Sequence, residues 1–171
     1  NREFAHLGLK PFRSIRNRPA AQTALRPPAH GTAPAGPAFE AASIACGMRA
    51  ADGAIEVVQI NKGELKLGTI GDVEPVGICG SGLVDAVYAL HQIGLLDDSG
   101  RFVADEVAAE IAPTLHDRLV TREAGDRIFI LHGTVEDPTV YLSQRDVREL
   151  QFAKASIATG WRLLLEEAGL T

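Results

Sequence analysis

Cysteine is nearly absent from this 171-residue chain, with Cys46 and Cys79 the whole complement. They do not form a C-x-x-C pair, and two thiols cannot ligate a four-cysteine iron–sulfur cluster or zinc site. A Cys46–Cys79 disulfide is disfavoured in a reducing compartment. Long apolar runs are missing as well: none approaches a membrane span, and no charged-then-apolar signal segment opens the chain. The expectation is therefore a cytoplasmic protein with no membrane partner. His91 and His132 have no partners at ligand spacing and read as structural, Asp97 and Asp98 read as a turn, and no metal site is expected. The body carries no internal repeat and no low-complexity tract.

Acid is scarce at one end. Of 17 basic and 22 acidic residues, six and one fall within residues 1–35, leaving 11 and 21 for the remainder. A basic arm for nucleic acid would need interleaved aromatics, but the segment offers only Phe4 and Phe12. The acidic remainder would also repel a phosphate backbone, so no nucleic-acid partner is expected. Residues 1–34, rich in Pro and Ala and without amphipathic period, read as a disordered or non-native leader. The chain begins at Asn rather than Met, and a fragment is the expectation.

What is present suits one domain with a real core: 46% hydrophobic and 23% charged residues at a net charge of −5. From Gly36 onward, residues 54–60 read as a strand, "NKGE" as a hairpin loop and 65–70 as the returning strand. A helix is predicted over 81–93, with Ser81 as its cap and Asp85 in its first turn. Residues 106–118 are expected to be irregular or a short helix interrupted by Pro113. Short strands follow at 128–132 and 139–142. The longest helix spans 144–168, with Ser143 at its cap and Asp146 in its first turn. Val147, Leu150, Ile157, Trp161, Leu164, Leu165 and Ala168 share one face of that helix, with Lys154 inside the stripe. Phe152, Ser156, Thr159 and Leu163 form a smaller stripe opposite. Apolar surface on two faces predicts packing between two layers or self-association as a homo-oligomer. Lys154 either snorkels to solvent or points its charge into a cleft. Arg148 and Gln151 read as solvated or interhelical contacts, or as groups at a lobe interface.

The stretch "VGICGSGLVDAVYAL" (76–90) places Gly77, Gly80 and Gly82 ahead of an apolar-periodic run. Amides exposed at such a helix start can bind an anion, while glycines can equally serve a tight strand-to-helix turn. The spacing is neither a Walker loop nor a dinucleotide fingerprint, and both readings stay open on the spacing alone. Cys79 reads as a small residue filling the tight loop rather than as an activated thiol.

Three blocks, in order, resemble one family: "AGPAFEAASIACGMRA" (35–50), "GICGSGLVDAVYAL" (77–90) and "LSQRDVRELQFAKASIATG" (142–160). They are similar to the reductive activators of corrinoid proteins, whose ATPase core belongs to the acetate kinase, heat-shock and actin superfamily. The resemblance implies an α/β fold: residues 35–171 as part of a ribonuclease-H-like ATPase lobe, with a mixed sheet and flanking helices. It implies nucleotide contacts at Gly36, Glu40, Gly80, Ser81 and Gly82, while Lys154 and Arg148 remain candidates for a cleft or lobe interface beside their solvent-exposed readings. It assigns no catalytic residue. It further implies ATP and magnesium in the complete protein, a corrinoid protein as partner, and an iron–sulfur cluster on a domain absent from this chain. The expected work is support for reducing cob(II)amide to cob(I)amide on a methyl-transfer partner. Isolated, the chain is expected to be inactive as an ATPase.

The chain departs from the family pattern in three places. "RPPAHGTAPA" (26–35) stands where an aspartate-glycine phosphate loop would be and holds no acid for magnesium. Ala41 replaces a usual glycine, and the family's later glycine block bearing on adenosine would follow Thr171. A non-catalytic association lobe or truncated gene product is therefore one alternative, and a small-molecule kinase of the same superfamily another.

Overall fold

The computed structural model describes residues 43–122 and 125–170. The leader expected at 1–34, Gly36 and Glu40 lie outside the described residues.

A hairpin begins the first sheet. β1 (Ala54–Asn61) buries Ala54, Ile55 and Val58 and turns Glu56, Val57 and Gln59 to solvent, its period of two broken by a register shift between Ile55 and Val57. It returns through Lys62 and Gly63, both at positive φ (52° and 78°), the geometry that a two-residue hairpin matched to strand twist requires. β2 (Glu64–Thr69) then pairs antiparallel with β1, from Asn61 opposite Glu64 to Ile55 opposite Thr69. β3 (Gly77–Ile78) lies on the other side of β1 and runs parallel to it, so this sheet is mixed, in the order β2-β1-β3. Residues 46–48 extend it past β3: Ile78 N–H donates to Cys46 O at 2.8 Å, and Met48 N–H to Ile78 O at 2.9 Å.

α1 (Gly80–Gln92) covers this sheet with Gly82, Leu83, Ala86, Ala89 and Leu90, the face that the helical period marks out. The chain leaves it through buried Leu95 and Leu96 into a turn that a Leu96–Phe102 bridge closes. Asp97 organises the turn, its carboxylate accepting from Ser99 N, Ser99 Oγ and Arg101 N. α2 (Asp105–Ile111) is short and ends before Pro113, whose ring cannot continue a helix. A 3-10 turn at His116–Arg118 follows.

The second sheet is antiparallel, in the order β4-β5-β6, from β4 (Leu119–Thr121), β5 (Arg127–Gly133) and β6 (Pro138–Ser143). Ile128, Phe129, Ile130 and Leu131 are all buried, so β5 is covered on both faces. Phe129, Leu131, Val140 and Leu142 join Ile55, Leu83, Leu90 and Leu95 in one core that both sheets share.

α3 (Gln144–Glu167) leaves β6 without a loop. Its start is a reciprocal cap, with Asp146 N–H donating to Ser143 Oγ at 3.1 Å and Ser143 N–H to Asp146 Oδ2 at 2.8 Å. Only the first turns dock: Val147 and Ala153 are fully buried and Leu150 is half-buried. Phe152, beside Ala153, is 60% exposed, and farther along Ile157 is 38%, Trp161 64% and Leu163 59%. The expected packing of this helix between two layers is not seen beyond Ala153 among the described residues. Both stripes are open past the third turn, because the body ends where the helix continues.

Candidate functional site

The glycine loop is set by its neighbours. The cap of α1 is Cys79, in extended conformation and without a side-chain capping bond, rather than Ser81. Ser81 lies inside the first turn with its hydroxyl 3.3 Å from Cys79 Sγ, and Asp85 falls beyond that turn. The tertiary structure decides this boundary: Cys79 N–H donates to Ile55 O at 3.1 Å, and its thiol lies 3.3 Å from the same oxygen. Cys79 is buried, as expected for a small residue filling the loop.

Two glycines answer the packing half of the question that the glycine loop raises. A Cβ on Gly82 would sit 2.1 Å from Ile55 O, so only glycine lets α1 lie this close to β1. At Gly77 a Cβ would meet Met48 Sδ at 2.7 Å and Cys46 O at 2.9 Å. These two serve close backbone approach. The anion half of the question belongs to the helix start itself. Leu83 N–H, donating to Cys79 O at 2.9 Å, is the first amide to close an intrahelical bond. The amides of Gly80, Ser81 and Gly82 precede it, at the positive end of a 13-residue helix. Ser81 is exposed and Gly80 partly so.

The other sequence-derived residues are spread more widely. Arg148 reaches the turn after α1, where Nη1 donates to Ser99 O at 2.7 Å and to Gln151 Oε1 at 2.8 Å. Gln151 Nε2 also donates to Ser99 O, at 2.9 Å. Sequence reasoning passed over Gln144, which adds a backbone-like pair there: its Nε2 donates to Gly100 O at 2.7 Å and its Oε1 accepts from Phe102 N at 3.0 Å. Lys154 is exposed on α3 rather than held inside a packed stripe. His91 and His132 are tied into the fold, through Leu96 O at 3.1 Å and through Thr139 Oγ1 at 3.1 Å with Glu74 at 3.0 Å.

Asp146 is also more than a cap. It is 1% exposed, and its second oxygen, Oδ1, accepts from Ala45 N at 3.0 Å across 101 residues of chain. A shallow polar recess beside it is lined by Ser43, Ile44, Asp126, Ser143 and Arg145. Burial pushes the nearby Cys46 thiol above its ordinary pKa, and the Asp146 charge adds to this against Tyr141 and Arg122. That thiol stays protonated near neutrality and is a poor ligand or nucleophile. Among the described residues no three His, Cys, Asp or Glu side chains gather as a metal site, and no helix is long and apolar enough to cross a membrane.

Comparison with known proteins gives this geometry a lineage. Residues 29–171 match the family described as the C-terminal domain of RACo, the ASKHA domain. The chain is 38% identical over 138 residues to the corrinoid activation enzyme RamQ of Eubacterium limosum, covering 79% of this chain and 23% of that protein. It is similar to the solved structure of a reductive activator for a corrinoid, iron-sulfur protein, at 34% identity and a TM-score of 0.66, covering 78% of this chain and 21% of that one. The chain thus spans less than a quarter of the length of either relative. With an α/β arrangement, a mixed sheet and a family match over most of its length, the chain belongs to the ASKHA-domain family of the corrinoid reductive activators.

Proposed function

We propose that this chain is the glycine-loop portion of an ATP-dependent reductive activator of corrinoid proteins. In that reading Gly80, Ser81 and Gly82 present the amides of the α1 start to a nucleotide phosphate, with Gly36 and Glu40 contributing from the preceding block. The observation that carries it is the convergence of two motif blocks on the third: residues 45–48 touch both the glycine loop and the α3 start. The residues present fit the phosphate end of ATP, since a helix start offers oriented donors and Ser81 is accessible. They do not fit an iron–sulfur cluster, because the two cysteines are buried or half-buried and too few. The cluster that would deliver the electron is assigned to protein outside this chain.

ATP hydrolysis would supply the free energy for an uphill one-electron reduction of cob(II)amide to cob(I)amide on the partner. The lobe's contribution is differential affinity for the partner in its nucleotide-bound state. The test is spectroscopic. The complete activator, mixed with its corrinoid protein, a low-potential reductant and ATP, accumulates the cob(I)amide band, and it does not do so when ATP is omitted. Equal accumulation without ATP rejects the reading.

The exposed apolar length of α3 favours a second reading, an association lobe. Activation that survives disruption of the glycine loop but fails when α3 is altered would select it.

A further inference from the structure

Residues 45–48 carry no chemistry of their own, yet the glycine loop leans on them. On one side the loop is fixed by Ile55, which holds Cys79 N–H and faces Gly82. On the other, β3 is held between Cys46 O and Met48 N–H, with Gly77 pressed against Met48 and the Cys46 carbonyl. This second wall is a turn, closed by Gly47 N–H on Ile44 O at 3.1 Å, that leads into a single bridge to β3. It is pinned from behind by Asp146, whose Oδ1 accepts the Ala45 amide while Oδ2 accepts Ser143 N. A buried carboxylate accepting two backbone amides, one of them from 101 residues away in the chain, makes a rigid joint.

We propose that Asp146 is a positioning residue for the glycine loop: by holding the Ala45 amide, its carboxylate fixes the segment that flanks β3 and so sets the affinity of the loop for nucleotide. This rests on the nucleotide reading of the loop given above. Capping alone does not need the second oxygen, which separates the two roles of Asp146. Asparagine offers one acceptor oxygen in place of two, so Asp146→Asn gives up one of the two amide bonds whichever way it is turned. Ser143→Ala removes the hydroxyl that accepts Asp146 N–H and leaves the Ala45 bond in place.

The test is ATP–magnesium titration of the complete activator, paired with amide exchange at Ala45–Met48 and a melting curve. Asp146→Asn is expected to raise the ATP dissociation constant about tenfold and to speed exchange across the segment. Ser143→Ala is expected to lower the melting temperature while leaving the dissociation constant within about twofold. Should Asp146→Asn fail to fold, or keep its oxygen on the Ala45 amide and so leave exchange there unchanged, Ala45→Pro, which deletes the donor and keeps the capping box, carries the same expectation. Equal effects of Asp146→Asn and Ser143→Ala on ATP affinity, with unmodified protein binding ATP, overturn this inference alone. Unmodified activator that binds no ATP removes the nucleotide reading and this inference with it.

Discussion

The two helices that the sequence marks out most strongly meet opposite fates. α1 packs against β1 with Gly82 pressed against a backbone carbonyl and Leu83 and Leu90 buried. α3 begins with a better cap and runs nearly twice as long, yet most of its apolar side chains are open to water. Amphipathic pattern therefore reports what a helix is able to bury, whereas burial itself depends on how far the surrounding layers extend. The α1 end is where this chain is a finished structure, and the far end of α3 is where it is a surface.

The contrast is sharpest in stability. Leu90→Ala, at a fully buried site on α1, is expected to cost about 2–5 kcal/mol in denaturant unfolding. Gly82→Ala should follow at about 1–3 kcal/mol, because its new methyl has nowhere to go but into Ile55 O. On α3, Phe152→Glu should change stability by no more than about 0.5 kcal/mol. The same variant should reduce self-association measured by sedimentation, and a large loss of stability at Phe152 would erase the contrast drawn here.

The smallest effect is local and set by pH. Asp97 is held below the usual carboxylate range by the Ser99 hydroxyl, then by the Arg101 and Ser99 amides. A depressed folded-state pKa means that the turn's contribution is present above the ordinary carboxylate range and is lost as pH falls through the lowered value. Amide exchange at Ser99 and Arg101, corrected for its intrinsic pH dependence, should therefore lose protection on acidification while the overall melt stays in place. Asp97→Asn should show the weaker protection at neutral pH.

Much of this was legible beforehand, where local chemistry alone fixes the outcome. The hairpin at Lys62 and Gly63 follows from its turn residues, and the start of α3 from Ser143 followed by Asp146 three residues on. The α1 boundary was not legible, since Ser81 is the better cap by propensity and Cys79 wins only through its contact with Ile55. β3 and β4 are two and three residues long, too short to show a period. The convergence on residues 45–48 joins positions 101 residues apart, for which a single sequence carries no signal. The three motif blocks did identify the family, because their order and spacing are far more specific than any one loop.

The central claim is that the α1 start receives a nucleotide phosphate, and Ser81→Glu tests it most directly. Ser81 is exposed in the first turn, where an added carboxylate favours the helix electrostatically and repels a phosphate at the same amides. In the complete activator, titration with ATP and magnesium should show affinity at least about tenfold weaker, a loss of about 1.4 kcal/mol. The melting temperature without nucleotide should be unchanged or higher. Unaltered ATP affinity in a folded Ser81→Glu protein would contradict the account and return the glycine loop to a turn between a strand and a helix.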